Sequence, residues 1–322
     1  MRYCTRGNGP MADTVSRAVL APSRALSDNA SDTLRGILLA VLAYMIWTLG
    51  DATAKLVLPD VGVAGAMLWR GVFGFVTVIA ITMARGNAGW QRIIPRRWKL
   101  VMARSVLASF VSVTWYISWL SMSLADTYAV GFTAPLIMTL LAVPMLGERI
   151  RWRRALSTVV GFGGVLIMLR PGGDLWTPVV ALLLIGTLVM ALTRIMTRQL
   201  TATETPECQA FWLLICHTIT GMVLLPWMPG TGIAIGVAGW LGLAFLGVSS
   251  GVAHCIFARA YGLAPVSALA PYEYSMMPFA IVFGFVLFGD VPSWSTLGGA
   301  VVVAAAGSYN AYRERMLRSA AS

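Results

Sequence analysis

From about residue 36 to about residue 312, the chain is a series of continuously apolar stretches separated by short polar connections. Each stretch has roughly the 20 residues that an α-helix, at about 1.5 Å per residue, needs to cross a hydrocarbon core of about 30 Å. The apolar positions are consecutive and do not alternate, which excludes membrane-spanning strands. The pattern therefore predicts an all-α integral membrane protein of about ten transmembrane helices.

The predicted spans are bounded by Pro, Gly or charged residues, as at Leu58-Pro59-Asp60. They cover residues 36–58, 62–84, 98–121, 124–146, 153–170, 177–198, 207–228, 237–262, 264–288 and 293–312. No connection between them is long enough for a soluble domain.

Lys and Arg are concentrated in every second connection, and loops rich in these residues are typically cytoplasmic. The opposite connections contain little basic charge beyond Lys55 and Arg170. The basic side comprises Arg2, Arg6, Arg17, Arg24, Arg35, Arg85, Arg92, Arg96, Arg97, Lys99, Arg149, Arg151, Arg153, Arg154, Arg198, Arg313, Arg315 and Arg318. We therefore predict that both termini are cytoplasmic, which requires an even number of spans.

The two halves of the chain resemble each other. Leu146-Gly147-Glu148 ends one predicted span and Trp152 opens the next; 142 residues later, Phe288-Gly289-Asp290 and Trp294 repeat this order. Five spans per half is an odd number, so the second half is expected to insert inverted relative to the first. Inverted repeats place a substrate site near the bilayer midplane, between the two halves.

This repeat divides the chain into four expected segments. They are a cytoplasmic tail of residues 1–34, a first repeat of residues 35–172, a second repeat of residues 173–315 and a tail of residues 316–322. The amino-terminal tail is polar and is expected to be disordered.

Composition agrees with a lipid environment and narrows the function. Of 322 residues, 58% are hydrophobic and 11% are charged, which would leave a soluble protein too little polar surface. The net charge of +11 lies in the connections, so we expect membrane lipid and no nucleic acid as a partner. No phosphate-binding Gly-x-x-x-x-Gly-Lys-Ser/Thr loop occurs, so transport would be secondary. His217 and His254 lie outside any metal-ligand cluster, and we predict no metal, cofactor or catalytic residue.

Three ionisable residues within spans are candidates for function, because such groups are costly in lipid and usually face a cavity or a partner. Asp51 lies in the outer half of the first span and Arg70 about two turns inside the second. They could pair to hold the two helices together, or bind substrate or a proton. Glu273 has no basic residue in its own span. A carboxyl group in low dielectric without a cation favours its neutral form, so Glu273 is the candidate for proton coupling.

Aromatic residues are the remaining candidates for substrate contact. Trp115 and Trp119 are one helical turn apart and share a face, which could stack on a planar ligand or belong to an interfacial aromatic belt. The full set of expected substrate contacts is Trp47, Asp51, Arg70, Trp115, Trp119, Tyr128, Tyr272 and Tyr274.

Two stretches carry a family resemblance. Ala134-Pro135 to Leu146-Gly147-Glu148-Arg149, and its counterpart Met277-Pro278 to Phe288-Gly289-Asp290, resemble the two signatures of the drug/metabolite transporter superfamily, in its EamA-type branch. The resemblance covers about residues 35–315. It implies ten helices in two inverted five-helix EamA-type repeats.

The stretch from Ala270 to Ser275, with Phe288 to Ser293 and Gly298-Gly299-Ala300, is similar to a subgroup that contains bacterial riboflavin importers and S-adenosylmethionine uptake carriers. Glu273 stands where that subgroup often has Gln, so its proton role does not follow from the resemblance. The resemblance implies a bacterial inner-membrane protein that moves a small metabolite, with import favoured over export.

The expected function is thus a secondary transporter that works by alternating access, with an exporter of amino acids or other metabolites as the alternative. A membrane-embedded enzyme would need a nucleophile and base or a metal site, which the sequence does not supply. A non-transporting scaffold would not explain Asp51, Arg70 and Glu273 within spans. Substrate and oligomeric state stay open at this stage.

Overall fold

All regular secondary structure in the described part of the chain is helical, which confirms the predicted all-α class. The computed structural model describes residues 30–84, 89–134, 137–138, 141, 152–169, 177–228, 230, 235–264 and 269–319. The helices are α1 (Ala30–Met83), a 3₁₀ helix (Trp90–Arg92), α2 (Trp98–Trp119), α3 (Leu124–Gly131), α4 (Trp152–Leu169), α5 (Pro178–Leu200), α6 (Pro206–Leu224), α7 (Val237–Leu263), a second 3₁₀ helix (Ala270–Ser275), α8 (Met276–Phe288) and α9 (Trp294–Ser319).

Seven helices begin within one residue of a predicted span: α2, α3, α4, α5, α6, α7 and α9. Five helices of the described chain, namely α1, α2, α5, α6 and α7, are long and apolar enough to cross a membrane. Most of the first repeat signature, including Pro135 and Glu148, lies outside the described residues, as do Arg170 and residues 1–29 of the expected tail. Residues 30–34, assigned to that tail, already belong to α1.

The first two predicted spans form one helix, α1, which is broken at Gly62. A straight helix of its 54 residues would extend about 80 Å, far more than a bilayer core. Gly62 has φ 67° and ψ 172°, a conformation that is open almost only to glycine, and it divides α1 into two arms, residues 30–61 and 63–83. The expected break at Pro59 is absent, because Pro59 lies within the first arm.

Hydroxyl side chains fix where several helices start. Thr177 and Thr205 accept hydrogen bonds from the backbone N–H groups of Val180 at 3.4 Å and Cys208 at 3.1 Å, and each precedes a proline. Such caps satisfy amide groups that a helix start leaves unpaired, and proline at the next position loses no hydrogen bond. These local signals explain why the starts were predictable to one residue.

The helices pack mainly between the two halves of the chain. The arms of α1 pack against α6 and α7, α2 packs against α5 and α6, α4 against α9, and α3 against α8. The contact of α1 with α7 is very close at Gly247, where an added Cβ would lie 2.4 Å from the Cβ of Phe73. Small residues therefore let these helices approach closely, as is common in membranes.

Large apolar side chains lie on the outer surface of the bundle. Val237 is 78% exposed, Val286 69% and Val159 67%. Lipid, unlike water, imposes no cost on such a surface. The exposed side chains thus agree with a helix bundle that is surrounded by hydrocarbon.

Polar contacts tie the connections at each end of the bundle. The Glu204 carboxylate accepts the backbone N–H groups of Arg96 and Arg97, at 3.0 Å and 2.8 Å, so the α2 start is joined to the α5–α6 turn. Elsewhere, Lys55 Nζ lies 3.0 Å from Asp290 Oδ2. Connections that the charge pattern assigned to the same membrane side are therefore in contact.

The break in α1 generates a stability prediction. Replacing Gly62 with Ala should lower the free energy of unfolding by about 1–3 kcal/mol, because a side chain disfavours this backbone conformation and its Cβ would lie 3.0 Å from Gly230 Cα. Thermal denaturation in detergent measures the change. Gly163→Ala is the matched control, since no atom lies within 4 Å of its added Cβ and helix propensity should make it neutral or slightly stabilising. Equal melting temperatures for the two variants would contradict the role of Gly62.

Candidate functional site

A cavity lies among the helices and is lined by residues from both halves of the chain. It encloses about 870 Å³ of atom-free space, its open part included. Its lining comprises Trp47, Asp51, Arg70, Arg104, Ala108, Val111, Ser112, Trp115, Tyr116, Trp119, Tyr128, Gly131, Phe132, Met190, Thr193, Arg194, Thr197, Leu213, His217, His254, Phe257, Glu273 and Met276.

Asp51 and Arg70, one on each arm of α1, lie in this cavity with different hydrogen-bond partners. Asp51 accepts the hydroxyl of Tyr128 on α3, with an O···O distance of 2.5 Å. Arg70 donates to Ser250 on α7 at 2.9 Å and to the hydroxyl of Tyr116 on α2 at 3.0 Å. The two charges interact electrostatically, but their direct bonds go to neutral groups. The cluster joins α1 to α2, α3 and α7.

The second carboxyl of the cavity, Glu273, forms a buried ion pair with Arg194 on α5. The expectation of a carboxyl without a cation is therefore wrong, because the partner comes from another helix. Glu273 lies in the second 3₁₀ helix, which follows α7, and both side chains are over 90% buried. The Arg194 guanidinium also lies over the ring of Phe257, 5.0 Å from its centroid, a favourable cation–π position.

A third cation, Arg104 on α2, has only neutral partners among the described residues. Its Nε donates to Thr197 Oγ1 and its Nη1 to the backbone carbonyl of Gln209, both at 3.1 Å. Thr197 is one helical turn from Arg194, so the two guanidinium groups lie near each other and repel. The cavity therefore contains three guanidinium groups and two carboxyl groups.

Many buried polar atoms at the cavity have no hydrogen-bond partner in the described structure, although native proteins usually satisfy such atoms. They include the indole nitrogens of three tryptophans, both ring nitrogens of His254 and two guanidinium nitrogens. These atoms are Trp47 Nε1, Trp115 Nε1, Trp119 Nε1, Arg194 Nε, Arg194 Nη1, His217 Nδ1, His254 Nδ1, His254 Nε2 and Glu273 Oε2. Their concentration at one cavity marks the place where a ligand or water would supply partners.

The two histidines are neighbours in this cavity. Their ring centroids are 6.4 Å apart, and His217 Nε2 lies 3.0 Å from Ser112 Oγ. The ring of His254 meets that of Trp47 edge to face at 4.9 Å. Among the described residues, no group of three or more His, Cys or carboxyl side chains could share a metal ion.

The structure brings together most of the residues selected from the sequence. Trp47, Asp51, Arg70, Trp115, Trp119, Tyr128 and Glu273 all line the cavity. Tyr272 and Tyr274 do not belong to its lining; Tyr274 packs edge to face against Phe132 at 5.3 Å, behind the wall. In the 3₁₀ helix, Glu273 thus lines the cavity and the two tyrosines that flank it do not.

Sequence reasoning missed two charged residues of the cavity, Arg104 and Arg194. Both lie within predicted spans, so the rule that selected Arg70 also applied to them. They stand within two turns of the span ends that the charge pattern assigns to the cytoplasm, where basic residues are frequent for topological reasons, and this proximity concealed them. Burial of over 90% for each side chain distinguishes them from residues that reach the interface.

A family model for EamA-like transporters matches the chain twice, over residues 34–170 and residues 177–309. The chain belongs to the EamA-like transporter family. It is therefore a multi-pass membrane protein and a transporter, as the repeated stretches indicated.

Among its relatives, a riboflavin transporter of Rhizobium johnstonii is 28% identical over 88% of this chain and 91% of its own length. An S-adenosylmethionine uptake transporter of Rickettsia prowazekii is 23% identical over 90% of this chain and 97% of its own. A solved crystal structure with 17% identity covers 89% of this chain and 99% of that one, with a TM-score of 0.66. This last likeness concerns the fold alone.

Proposed function

We propose that this EamA-family protein is a secondary transporter of the bacterial inner membrane, and that it moves a small organic metabolite by alternating access. In this proposal ten transmembrane helices form two inverted five-helix repeats, residues 35–172 and 173–315. The observation that carries it is the cavity, which both halves line and in which charged and unpartnered polar groups are buried.

The helix pairing supports the two repeats. If α1 is counted as two spans, its arms and α2 occupy the places that α5, α6 and α7 occupy in the second half. Then α7 packs against the first two spans of the first half, and α2 against the first two spans of the second half. The pairs α4 with α9 and α3 with α8 are unchanged when the halves are exchanged. Such a pattern is expected of a pseudo-two-fold axis.

The substrate class is proposed from the relatives together with the cavity. The relatives are named as a riboflavin transporter and an S-adenosylmethionine uptake transporter, and both compounds contain a planar heterocycle. The tryptophan-rich lining suits a planar group, since aromatic rings stack on or pack against such ligands. Import of a compound of this kind is therefore favoured over the alternative, export of amino acids or other metabolites.

Transport by the purified protein tests the proposal directly. Proteoliposomes should accumulate or exchange at least one member of a panel of riboflavin, S-adenosylmethionine, amino acids and sugars. A radiolabelled uptake and counterflow assay provides the measurement, with empty liposomes as the control. Folded protein that moves no member of a broad metabolite panel in either direction would count against transport and favour a scaffold role.

We also propose that both termini are cytoplasmic, from the alternation of basic connections. The contacts of Glu204 with Arg96 and Arg97, and of Lys55 with Asp290, agree with this arrangement. A reporter that is active only in the periplasm, fused after Ser322, should give no signal. Strong activity of that fusion, with no activity of a cytoplasmic reporter at the same position, would reverse the topology.

Glu273 is proposed to couple transport to a proton. Its pairing with Arg194 changes the expected chemistry. When the Glu273 carboxyl takes up a proton the ion pair is lost, and the neutral carboxyl either separates from the guanidinium group or remains beside it. Glu273→Gln resembles the protonated form, so proton-driven accumulation should fall about tenfold or more, whereas substrate exchange should persist because it does not require the empty carrier to return. Uptake under an imposed pH gradient, compared with counterflow, separates the two activities.

The exposed carboxyl of Asp60 provides the matched control for Glu273. Asp60→Asn removes the same charge outside the cavity and should retain accumulation. Accumulation by the Glu273→Gln variant at the wild-type rate and with the wild-type pH dependence would rule out the proton role.

A further inference from the structure

The cavity contains more positive charge than its own side chains neutralise. Arg70 interacts with Asp51, and Arg194 pairs with Glu273, which leaves Arg104 without a carboxyl partner among the described residues. A guanidinium group stays protonated under all physiological conditions. Because Arg104 is 6% exposed, its charge cannot be balanced by bulk solvent. This arrangement favours an anion in the cavity.

The unpartnered atoms of the cavity point to the same ligand chemistry. Trp47 Nε1, Trp115 Nε1, Arg194 Nε and Arg194 Nη1 can only donate hydrogen bonds, and they lack acceptors in the described structure. A ligand rich in acceptor oxygens would satisfy them. The lack of acceptors for these donors is a separate observation from the excess of positive charge.

Helix α2 carries both Arg104 and Trp115, so its geometry gives the spacing between a cation and an aromatic side chain of the cavity. Arg104, Ala108, Val111 and Trp115 follow the helical period and lie on one face, all within the cavity lining. Trp115 follows Arg104 by eleven positions, which corresponds to a rise of about 16 Å along the helix axis. An acid group bound at Arg104 would therefore place an attached ring beside the apolar and tryptophan-lined part of the cavity.

We propose that the substrate is a planar aromatic metabolite that bears at least one acid group, a carboxylate or a phosphate, and no net positive charge. The acid group binds between Arg104 and Arg194, and the ring packs beside the apolar and tryptophan-lined part of the cavity. This inference rests on the proposed transport function and narrows its substrate class. A net cation such as S-adenosylmethionine should be disfavoured, because the cavity already has an excess of guanidinium groups.

Matched compounds that differ only in the acid group test the inference on the wild-type protein. Indole-3-acetate should bind the purified protein in detergent about tenfold or more tightly than indole-3-acetamide, and riboflavin 5′-phosphate more tightly than riboflavin, as calorimetric titration would measure. A preference in the indole pair shows that a carboxylate suffices; a preference in the flavin pair alone shows that the acid group is a phosphate. Equal affinities within both pairs, or tighter binding of S-adenosylmethionine than of either acid, would overturn the proposal.

Variants then locate the acid group. Arg104→Gln should abolish the preference within each pair, and Arg104→Lys should retain part of it. Lys99→Gln, an exposed residue outside the cavity, removes one charge and should keep the full preference. If the Arg104→Gln protein does not fold, the test uses Arg104→Lys, which should show a smaller preference for the acidic member of each pair. A full preference in a folded Arg104→Gln protein would place the acid elsewhere and contradict the assignment.

Separate measurements of binding and of transport distinguish a failure of this inference from a failure of the proposed function. Acid-selective binding without uptake of any compound would refute the transport proposal and keep the anion site. Uptake of neutral and acidic members at equal rates would refute the anion site and keep transport.

Discussion

The arrangement of the protein depends on the burial of guanidinium groups that cannot lose their charge. In a hydrocarbon environment an ionised group without partners would cost several kcal/mol or more, so each arginine needs partners within the bundle. Arg70 obtains them from α2 and α7, Arg194 from the 3₁₀ helix of Glu273, and Arg104 from α5 and α6. Each cation thus joins its own helix to at least one other.

These partners also explain why the site sits where both halves of the chain meet. The first half of the chain does not satisfy its buried charges by itself: Arg70 uses Ser250, and Arg104 uses Thr197. The ion pair of Arg194 with Glu273 lies within the second half, yet it lines a cavity that α2 of the first half also lines. Breaking such a buried pair is strongly unfavourable even where forming it contributes little net stability, so the pair chiefly fixes geometry.

Local features of the sequence were sufficient for the helices, and contacts between distant residues decided the site. Apolar length predicted the starts of α5 and α6 to one residue, and the threonine caps that fix these starts act over a few residues. The role of Gly62 was missed because Pro59 is the stronger sequence signal for a break. The cation beside Glu273 is 79 residues away in the chain, and no periodicity reports such a contact. Whether Tyr274 faces the cavity depends on the rotation of a short 3₁₀ helix, which its sequence does not determine.

The unequal number of guanidinium and carboxyl groups has a consequence for energetics across the membrane. If the cavity is exposed to one side and then to the other, and Glu273 is ionised in both steps, an empty carrier moves one net positive charge, whereas a carrier that holds a monoanion moves none. One elementary charge crossing the full membrane potential is worth about 2.3 kcal/mol per 100 mV. The return of the empty carrier would then respond to voltage while the loaded step would not, so the third arginine would make the transport cycle sensitive to the electrical state of the cell.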